Sequence, residues 1–231
     1  LAIQMAGLTP VGIYSRQSAP TTTWILEHCE AVAIFLGPMA NGSDFLAAVP
    51  DGVLKVSLPY AAAPVGDTSW DALMRSQLPL RRYERPMPDT LATLVYTSGT
   101  TGNPKGVMLS YGNLAFTSAV FREVIPAQSD ERLFSYLPLA HLLERTAVEM
   151  ASLYWGAEIY FLESIEKMPE QLPEAAPTRF IGVPLVLSRL QAGFTARISE
   201  DRLRQLVNRR FIGRLLRRRL VTRIGLHKTR A

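Results

Sequence analysis

YTSGTTGNPKGV, at residues 96–107, follows an apolar run and gathers four Ser or Thr hydroxyls and three glycines around Lys105. Glycines let successive backbone N–H groups turn toward one point and form a concave anion site. Hydroxyl groups add hydrogen-bond donors and can supply oxygen to a hard cation, and a lysine ammonium suits phosphate oxygens. The stretch therefore predicts a loop that holds a polyphosphate.

Two other interpretations of this loop have weaker support. A Walker A loop requires Ser or Thr directly after its lysine, but Gly106 follows Lys105 here. A plain surface turn between two strands needs far fewer specified residues than this stretch contains. Pro104 also keeps Asn103 extended, which holds Lys105 out of a helix. We therefore predict a phosphate loop of another kind.

Strand-like and helix-like segments alternate over most of the chain, which predicts an α/β fold with mainly parallel sheets flanked by helices. The predicted strands are Val11–Tyr14, Val32–Leu36, Val53–Leu58, Leu91–Tyr96, Val107–Leu109, Arg132–Leu137, Glu158–Leu162 and Thr178–Val183. The predicted helices are Ser18–Cys29, Trp70–Gln77, Tyr111–Ile125, His141–Trp155, Leu185–Ile198 and Asp201–Val221. Prolines punctuate residues 79–90, which are predicted to form an exposed linker.

A second motif, LPLAHLLER at residues 137–145, places a histidine at a predicted strand-to-helix corner. If His141 begins the helix, Glu144, Arg145 and Val148 share its face at the i+3, i+4 and i+7 positions. A histidine at such a corner can position or polarise an anionic reactant. The alternative is a corner histidine with a purely architectural role, next to a Glu/Arg pair at the surface.

Residues 96–107 resemble the phosphate-loop signature of the acyl-adenylate-forming superfamily. Residues 137–145 are similar to the corresponding motif of its long-chain fatty acyl-CoA synthetase branch. The resemblance implies an incomplete N-terminal AMP-binding domain over residues 1–231, in which His141 and Lys105 are catalytic. It also implies that Thr97 helps to hold Mg²⁺. The residues implied to wrap the β- and γ-phosphates of ATP are Thr97, Ser98, Gly99, Thr100, Thr101, Gly102 and Lys105.

The activity that this resemblance implies is ATP-dependent ligation of a carboxylic acid, here a long-chain fatty acid, to coenzyme A. His141 would lie near the substrate carboxylate. Two alternatives stay open: adenylation of an amino acid or aryl acid for a carrier protein, and a non-catalytic binding module apposed to a membrane. Leu143, Leu185 and Leu187 depart from the pattern of the long-chain branch near its acyl tunnel, which leaves chain length undetermined.

We expect the chain to be a piece of a longer protein and to be inactive by itself. It begins with Leu1 and not with Met, and it contains no Tyr-Gly-x-Thr-Glu or Thr-Gly-Asp segment of the superfamily. The small C-terminal domain that the superfamily places later is also absent from these 231 residues. The single cysteine, Cys29, excludes a disulfide framework within the sequence and favours a cytoplasmic location.

Basic charge is concentrated in one segment of the sequence. Residues 197–230 carry 12 of the 25 Lys and Arg and only two acidic residues, a local charge of +10 that leaves −5 elsewhere. Within it, residues 201–221 have the spacing of a basic amphipathic helix, which suits peripheral contact with anionic lipid on the inner membrane face. The other possibilities are a helix packed on the core and, with no supporting motif, a nucleic-acid surface, so no nucleic-acid partner is expected.

Overall fold

The computed structural model describes residues 1–39, 41–98, 102–195 and 212–230. The chain divides into two compact units. Unit 1 comprises Leu1–Phe116 together with Pro138–Leu142, and unit 2 comprises Thr117–Leu137 and Leu143–Ala231. The phosphate loop and His141 therefore belong to the same unit.

The first sheet of unit 1 is parallel and three-stranded, in the order β1-β2-β3. Its strands are β1 (Ala33–Leu36), β2 (Leu54–Ser57) and β3 (Thr68–Ser69). Unit 1 also contains the helices α1 (Ala2–Met5), α2 (Ala19–His28), α3 (Gly42–Ala47) and α4 (Trp70–Ser76). Ser18 stands at the N-cap of α2 with Pro20 in the first turn, as predicted. The core of this region is formed by Leu26, Leu36, Phe45, Val49 and Val53.

A second sheet in unit 1 is an antiparallel hairpin of β4 (Leu91–Thr97) and β5 (Lys105–Ser110). Ala92, Thr93, Val95 and Tyr96 of β4 are buried. The predicted strand Val11–Tyr14 is wrong, because only Val11 pairs, through one parallel bridge to Leu94. Pro10 has no backbone N–H to donate, and its carbonyl accepts a 2.7 Å hydrogen bond from the Thr93 hydroxyl in place of a backbone N–H.

Unit 2 contains a parallel pair of strands, β6 (Arg132–Ser135) and β7 (Glu158–Phe161). A continuous helical stretch connects them: α6 (Leu142–Glu144), a π-helical segment (Arg145–Met150) and α7 (Ala151–Trp155). The other described helices are α5 (Tyr111–Val124), which starts in unit 1, and α8 (Met168–Ala175), α9 (Pro184–Thr195) and α10 (Ile212–Arg223). Phe134, Met168, Leu172, Ala175 and Val186 form the core of unit 2. The mainly parallel α/β architecture is confirmed.

The predicted strand Thr178–Val183 is also wrong, since Arg179 makes only an isolated bridge to Leu133. On both sides of that bridge, side-chain hydroxyls take the place of the backbone partners that a β-ladder would supply. The Thr178 hydroxyl accepts from the Arg132 amide at 2.8 Å, and the Tyr136 hydroxyl accepts from the Val183 amide at 3.0 Å. Hydroxyl groups thus satisfy backbone groups that a strand would pair.

The basic segment is described only in part. Of the predicted helix Asp201–Val221, residues 201–211 lie outside the described residues, and α10 covers the remainder and ends at Arg223. Residues 79–90 are exposed and have neither helix nor strand. Over the ranges that the structure describes, no helix combines the length and apolar character needed to cross a bilayer.

Candidate functional site

The β4–β5 hairpin places the phosphate loop at its open end. Thr97 and Lys105 are the last cross-strand pair, so the loop begins at Ser98 and ends at Pro104. Gly102 has φ +118°, a backbone conformation that residues with a side chain rarely adopt. This explains why a glycine is required at that position.

A cavity of about 550 Å³ in unit 1 brings the two sequence motifs together. Thr97, Ser98 and Gly102 of the predicted phosphate site line it, and so does His141 of the second motif. Lys105 lies opposite Thr97 with an exposed side chain and is not among the lining residues. The predicted residues Gly99, Thr100 and Thr101 lie outside the described part of the chain.

His141 is held at a corner immediately before α6. Its amide donates a 2.8 Å hydrogen bond to the carbonyl of Pro138, and its side chain is half-buried. The backbone of Gly12 lies directly against this corner: a Cβ added to Gly12 would stand 2.7 Å from the Ala140 nitrogen. Only glycine permits such a close approach of two backbone segments.

Glu144 and Arg145 are buried and do not form the surface pair considered from the sequence. Glu144 Oε1 accepts from Ser135 Oγ at 2.5 Å and its Oε2 accepts from the Leu137 amide at 3.3 Å. Burial raises the pKa of the Glu144 carboxyl, while these hydrogen bonds act in the opposite direction. Arg145 instead pairs with Glu149 at 3.0 Å.

The predicted common face of His141, Glu144, Arg145 and Val148 is also wrong. The helix begins at Leu142, one residue after His141, and residues 145–150 are π-helical. A π-helix forms i→i+5 hydrogen bonds, so positions three and four apart no longer stand above one another as in an α-helix. The sequence spacing therefore does not describe the geometry of this motif.

A third wall of the cavity was not predicted from the sequence. It comes from the segment between the Val11 bridge and α2 and from α2 itself, with the side chains of Ile13, Tyr14, Gln17, Thr21 and Ile25. Thr21 Oγ1 shares a 2.8 Å hydrogen bond with Ser18 Oγ. No spacing signal marks these residues, because they reach the site through the pairing of Val11 with β4.

The cavity offers hydroxyl oxygens but, among the residues described, no carboxylate lines it. Within the same part of the chain no cluster of three His, Cys, Asp or Glu residues could hold a metal ion. A Mg²⁺ ion usually keeps several waters and binds substrate phosphates as well as protein oxygens. Thr97 has an exposed hydroxyl at the loop. This hydroxyl is suited to supply one oxygen ligand to a magnesium ion that enters the site bound to a nucleotide.

Several solved structures have a fold similar to that of this chain. ATP-bound MatB from Rhodopseudomonas palustris is 24% identical, with a TM-score of 0.69 over 82% of this chain and 37% of that chain. O-succinylbenzoate coenzyme A synthetase from Bacillus subtilis, in complex with ATP and magnesium ion, is 22% identical, with a TM-score of 0.64 and the same coverage. The fold is that of the adenylate-forming enzymes.

Sequence comparison gives the family. A family model described as AMP-binding enzyme matches residues 1–224. Peroxisomal long chain acyl-CoA synthetase 7 of Arabidopsis thaliana is 31% identical over 207 residues, which are 83% of this chain and 29% of the relative. Fatty acyl-CoA synthetase B of Dictyostelium discoideum is 39% identical over 120 residues, which are 52% of this chain and 18% of the relative.

The chain belongs to the AMP-binding enzyme family. The resemblance seen in residues 96–107 and 137–145 is thereby confirmed, including its similarity to long-chain acyl-CoA synthetases. The chain spans less than a third of the length of these relatives.

Proposed function

We propose that the protein containing this chain is an ATP-dependent ligase that joins a long-chain fatty acid to coenzyme A. The observation that carries the proposal is the cavity in unit 1, where Thr97, Ser98 and Gly102 of the hairpin loop face the same space as His141. A loop that holds the phosphates and a histidine that orients the carboxylate would supply the positioning and charge stabilisation that help ATP to activate a carboxylate. The long-chain relatives support the substrate class.

The proposed reaction has two balanced steps. A carboxylate oxygen attacks the α-phosphorus of MgATP; the new P–O bond forms as the bond to the β-phosphate oxygen breaks, and pyrophosphate leaves. The sulfur of coenzyme A then attacks the acyl carbonyl after losing its proton, and the C–O bond to AMP breaks. The products are the acyl thioester, AMP and pyrophosphate.

In this proposal the loop binds and neutralises the terminal phosphates. Residues 97–102, with Gly99, Thr100 and Thr101 as predicted members, would bind the β- and γ-phosphates through backbone N–H groups and hydroxyls. Lys105 extends from the strand end opposite Thr97, where its ammonium supplies positive charge. Thr97 would contribute one oxygen to Mg²⁺ that is bound to the nucleotide. His141 positions the substrate carboxylate.

The first test substitutes three residues of the loop in the full-length protein. We expect Lys105→Ala combined with T100A and T101A to weaken MgATP binding by at least about 10-fold, because charged hydrogen bonds to phosphate are lost. Fatty-acid-dependent exchange between ATP and labelled pyrophosphate should fall with it. Lys167→Ala is the control, since Lys167 forms an exposed ion pair with Glu163 in unit 2. Equal MgATP affinity of the triple variant and the parent would contradict the proposal.

The second test decides between the substrate classes. Pyrophosphate release is measured with palmitate, benzoate and a panel of amino acids, with coenzyme A present or replaced by a carrier protein. We expect release with palmitate and thioester formation with coenzyme A. Release with only an aryl acid or an amino acid would overturn the substrate assignment, and no release with any acid would favour a non-catalytic module. Contact of residues 201–221 with anionic lipid stays a prediction.

A further inference from the structure

Two ring-bearing side chains of helix α2 contact a residue of the β4–β5 hairpin that lines the cavity of the candidate site. Trp24 and His28 are four positions apart, so they share one helix face, and their rings stack with centroids 4.5 Å apart. His28 Nδ1 forms a 2.7 Å hydrogen bond with the hydroxyl of Tyr96. The ring of Tyr96 meets both α2 rings edge to face, at 6.0 Å from Trp24 and 5.7 Å from His28.

Tyr96 connects this pair to the base of the loop. It is 7% exposed and lies directly before Thr97 on β4. Its cross-strand partner is Gly106, and a Cβ added to Gly106 would lie 3.2 Å from Tyr96 Cζ. The phenol ring therefore occupies the space above Gly106, next to the pair Thr97 and Lys105 that closes the hairpin. Burial raises the pKa of Tyr96 to about 12, so its hydroxyl keeps its proton at neutral pH.

We propose that His28 is a positioning residue for the phosphate loop. It is not among the residues that line the cavity, whereas Tyr96 is. His28 acts through Tyr96: the hydrogen bond and the stack on Trp24 hold the phenol over Gly106, which fixes the angle at which Thr97 and Lys105 enter the loop. A loop held in its binding conformation loses less entropy when MgATP binds. This inference rests on the proposed function, since it assigns the loop to MgATP.

The variants separate the hydrogen bond from the packing. His28→Phe keeps a ring on Trp24 but removes the bond to Tyr96, and Tyr96→Phe removes the same bond from the other side. His28→Asn returns an amide near the position of Nδ1. His28 is exposed, so the two changes at His28 disturb little of the core, and Tyr96→Phe keeps the buried ring in place. The control is Thr23→Val, which removes a 2.7 Å hydrogen bond from the same helix to the Ala48 carbonyl.

The measurement is the Kd of the full-length protein for MgATP by equilibrium dialysis, together with the KM values for MgATP and palmitate and the thermal midpoint. We expect H28F and Y96F each to raise the Kd and KM for MgATP by roughly 2- to 5-fold, at the lower end of what one hydrogen bond contributes. The double variant should show no further rise, H28N should recover most of the affinity, and the KM for palmitate should not change. T23V should lower only the thermal midpoint.

Each result bears on one of the two proposals. If H28F lowers the thermal midpoint as T23V does and leaves the Kd for MgATP unchanged, the inference is overturned. Additive effects of H28F and Y96F in the double variant would overturn it as well. A parent that binds MgATP but releases no pyrophosphate with any acid contradicts the proposed ligase, and the Kd comparison among the variants still decides the role of His28.

Discussion

Glu144 and Glu131 are buried carboxylates in unit 2 whose pKa values move in opposite directions. Burial raises the pKa of Glu144, and its hydrogen bonds to Ser135 and the Leu137 amide offset only part of that effect. Burial also acts to raise the pKa of Glu131, but the Thr178 hydroxyl and the Arg179 guanidinium lower it below its ordinary value. The charged neighbours also differ, because Arg179 lowers the pKa of Glu131 whereas Glu149 raises that of Glu144.

At the scale of single residues, we predict how the contribution of Glu144 to the free energy of unfolding changes with pH. Its folded-state pKa lies above its unfolded value, so its contribution to the free energy of unfolding is full below the unfolded pKa and is lost as pH rises through the folded pKa. Glu144→Gln keeps an oxygen acceptor without the charge. The free energy of unfolding of the parent relative to that of E144Q should therefore fall as pH rises. Denaturant unfolding of both full-length proteins between about pH 4 and pH 8 measures this difference.

Glu131→Gln is the matched comparison for this prediction. The folded-state pKa of Glu131 is lowered, so its contribution is present above its unfolded pKa and is lost as pH falls through the folded value. The stability difference between parent and E131Q should shrink toward acid, the reverse of the trend for E144Q. A difference between parent and E144Q that stays constant over the whole pH range would show that the burial of this carboxylate has no electrostatic consequence.

At the scale of elements, the site depends on irregular segments placed by regular ones. The β4–β5 hairpin fixes both ends of the loop through the pair Thr97 and Lys105. The 10–14 segment is attached to the same strand by the Val11–Leu94 bridge and the hydrogen bond from Thr93 to Pro10. Its Gly12 in turn lies against the backbone at Ala140, one residue before His141. Strand β4 therefore positions both motifs.

We predict that Gly12→Ala disrupts the cavity from a position outside either motif. The new Cβ would approach the Ala140 backbone to 2.7 Å, which requires the two segments to separate. We expect a loss of about 1–3 kcal/mol in the free energy of unfolding, the usual cost of overpacking. The KM for the carboxylate should also rise because His141 follows the displaced residue.

Gly37→Ala is the control for this prediction, since a Cβ there would meet only Leu58 Cδ1 at an ordinary 3.9 Å. Denaturant unfolding and pyrophosphate-exchange kinetics of the two full-length variants provide the measurements. Equal behaviour of G12A and G37A would mean that the approach of Gly12 to Ala140 does not hold the His141 corner.

At the scale of the whole molecule, positive charge is concentrated far along the chain from the phosphate loop. Residues 197–230 carry a local +10, and Arg218 and Arg219 of α10 are exposed. Exposed basic residues near an anionic bilayer contribute about 1 kcal/mol each, an effect that salt screens. The charge of this segment is therefore the basis for a prediction of salt-sensitive contact with anionic lipid.

We predict that the full-length protein floats with vesicles containing anionic phospholipid and is released by salt. Replacing Arg218 and Arg219 by Glu should weaken vesicle binding by roughly 10-fold or more. The same replacement at Arg81 and Arg82, which are exposed in the 79–90 segment, is the control for net charge. Equal flotation of the two double variants, or no flotation of the parent, would favour the alternative in which this segment packs against protein.

The local pattern of the sequence was sufficient to predict most of the helices and strands and the protein family. Helix α2 begins where Ser18 and Pro20 predict, and the strand before the loop follows from its apolar run. A proline in the first turn and side-chain periodicity both act over a few residues. The glycines and hydroxyls of residues 96–107 predict a phosphate loop for a similar reason. Their conformational and chemical requirements are properties of the residues themselves.

Tertiary contacts alone decided the rest. Val11–Tyr14 and Thr178–Val183 have the composition of strands, yet the Thr93, Thr178 and Tyr136 hydroxyls occupy backbone groups that a sheet would have paired. Glu144 is an ionisable residue of the kind expected at the surface, but its side chain is buried in the fold. The cavity brings Ser98 of the loop together with His141, 43 positions later in the chain, and with Gln17, 81 positions earlier. Such contacts depend on how distant elements pack, and a local pattern carries no information about its distant partner.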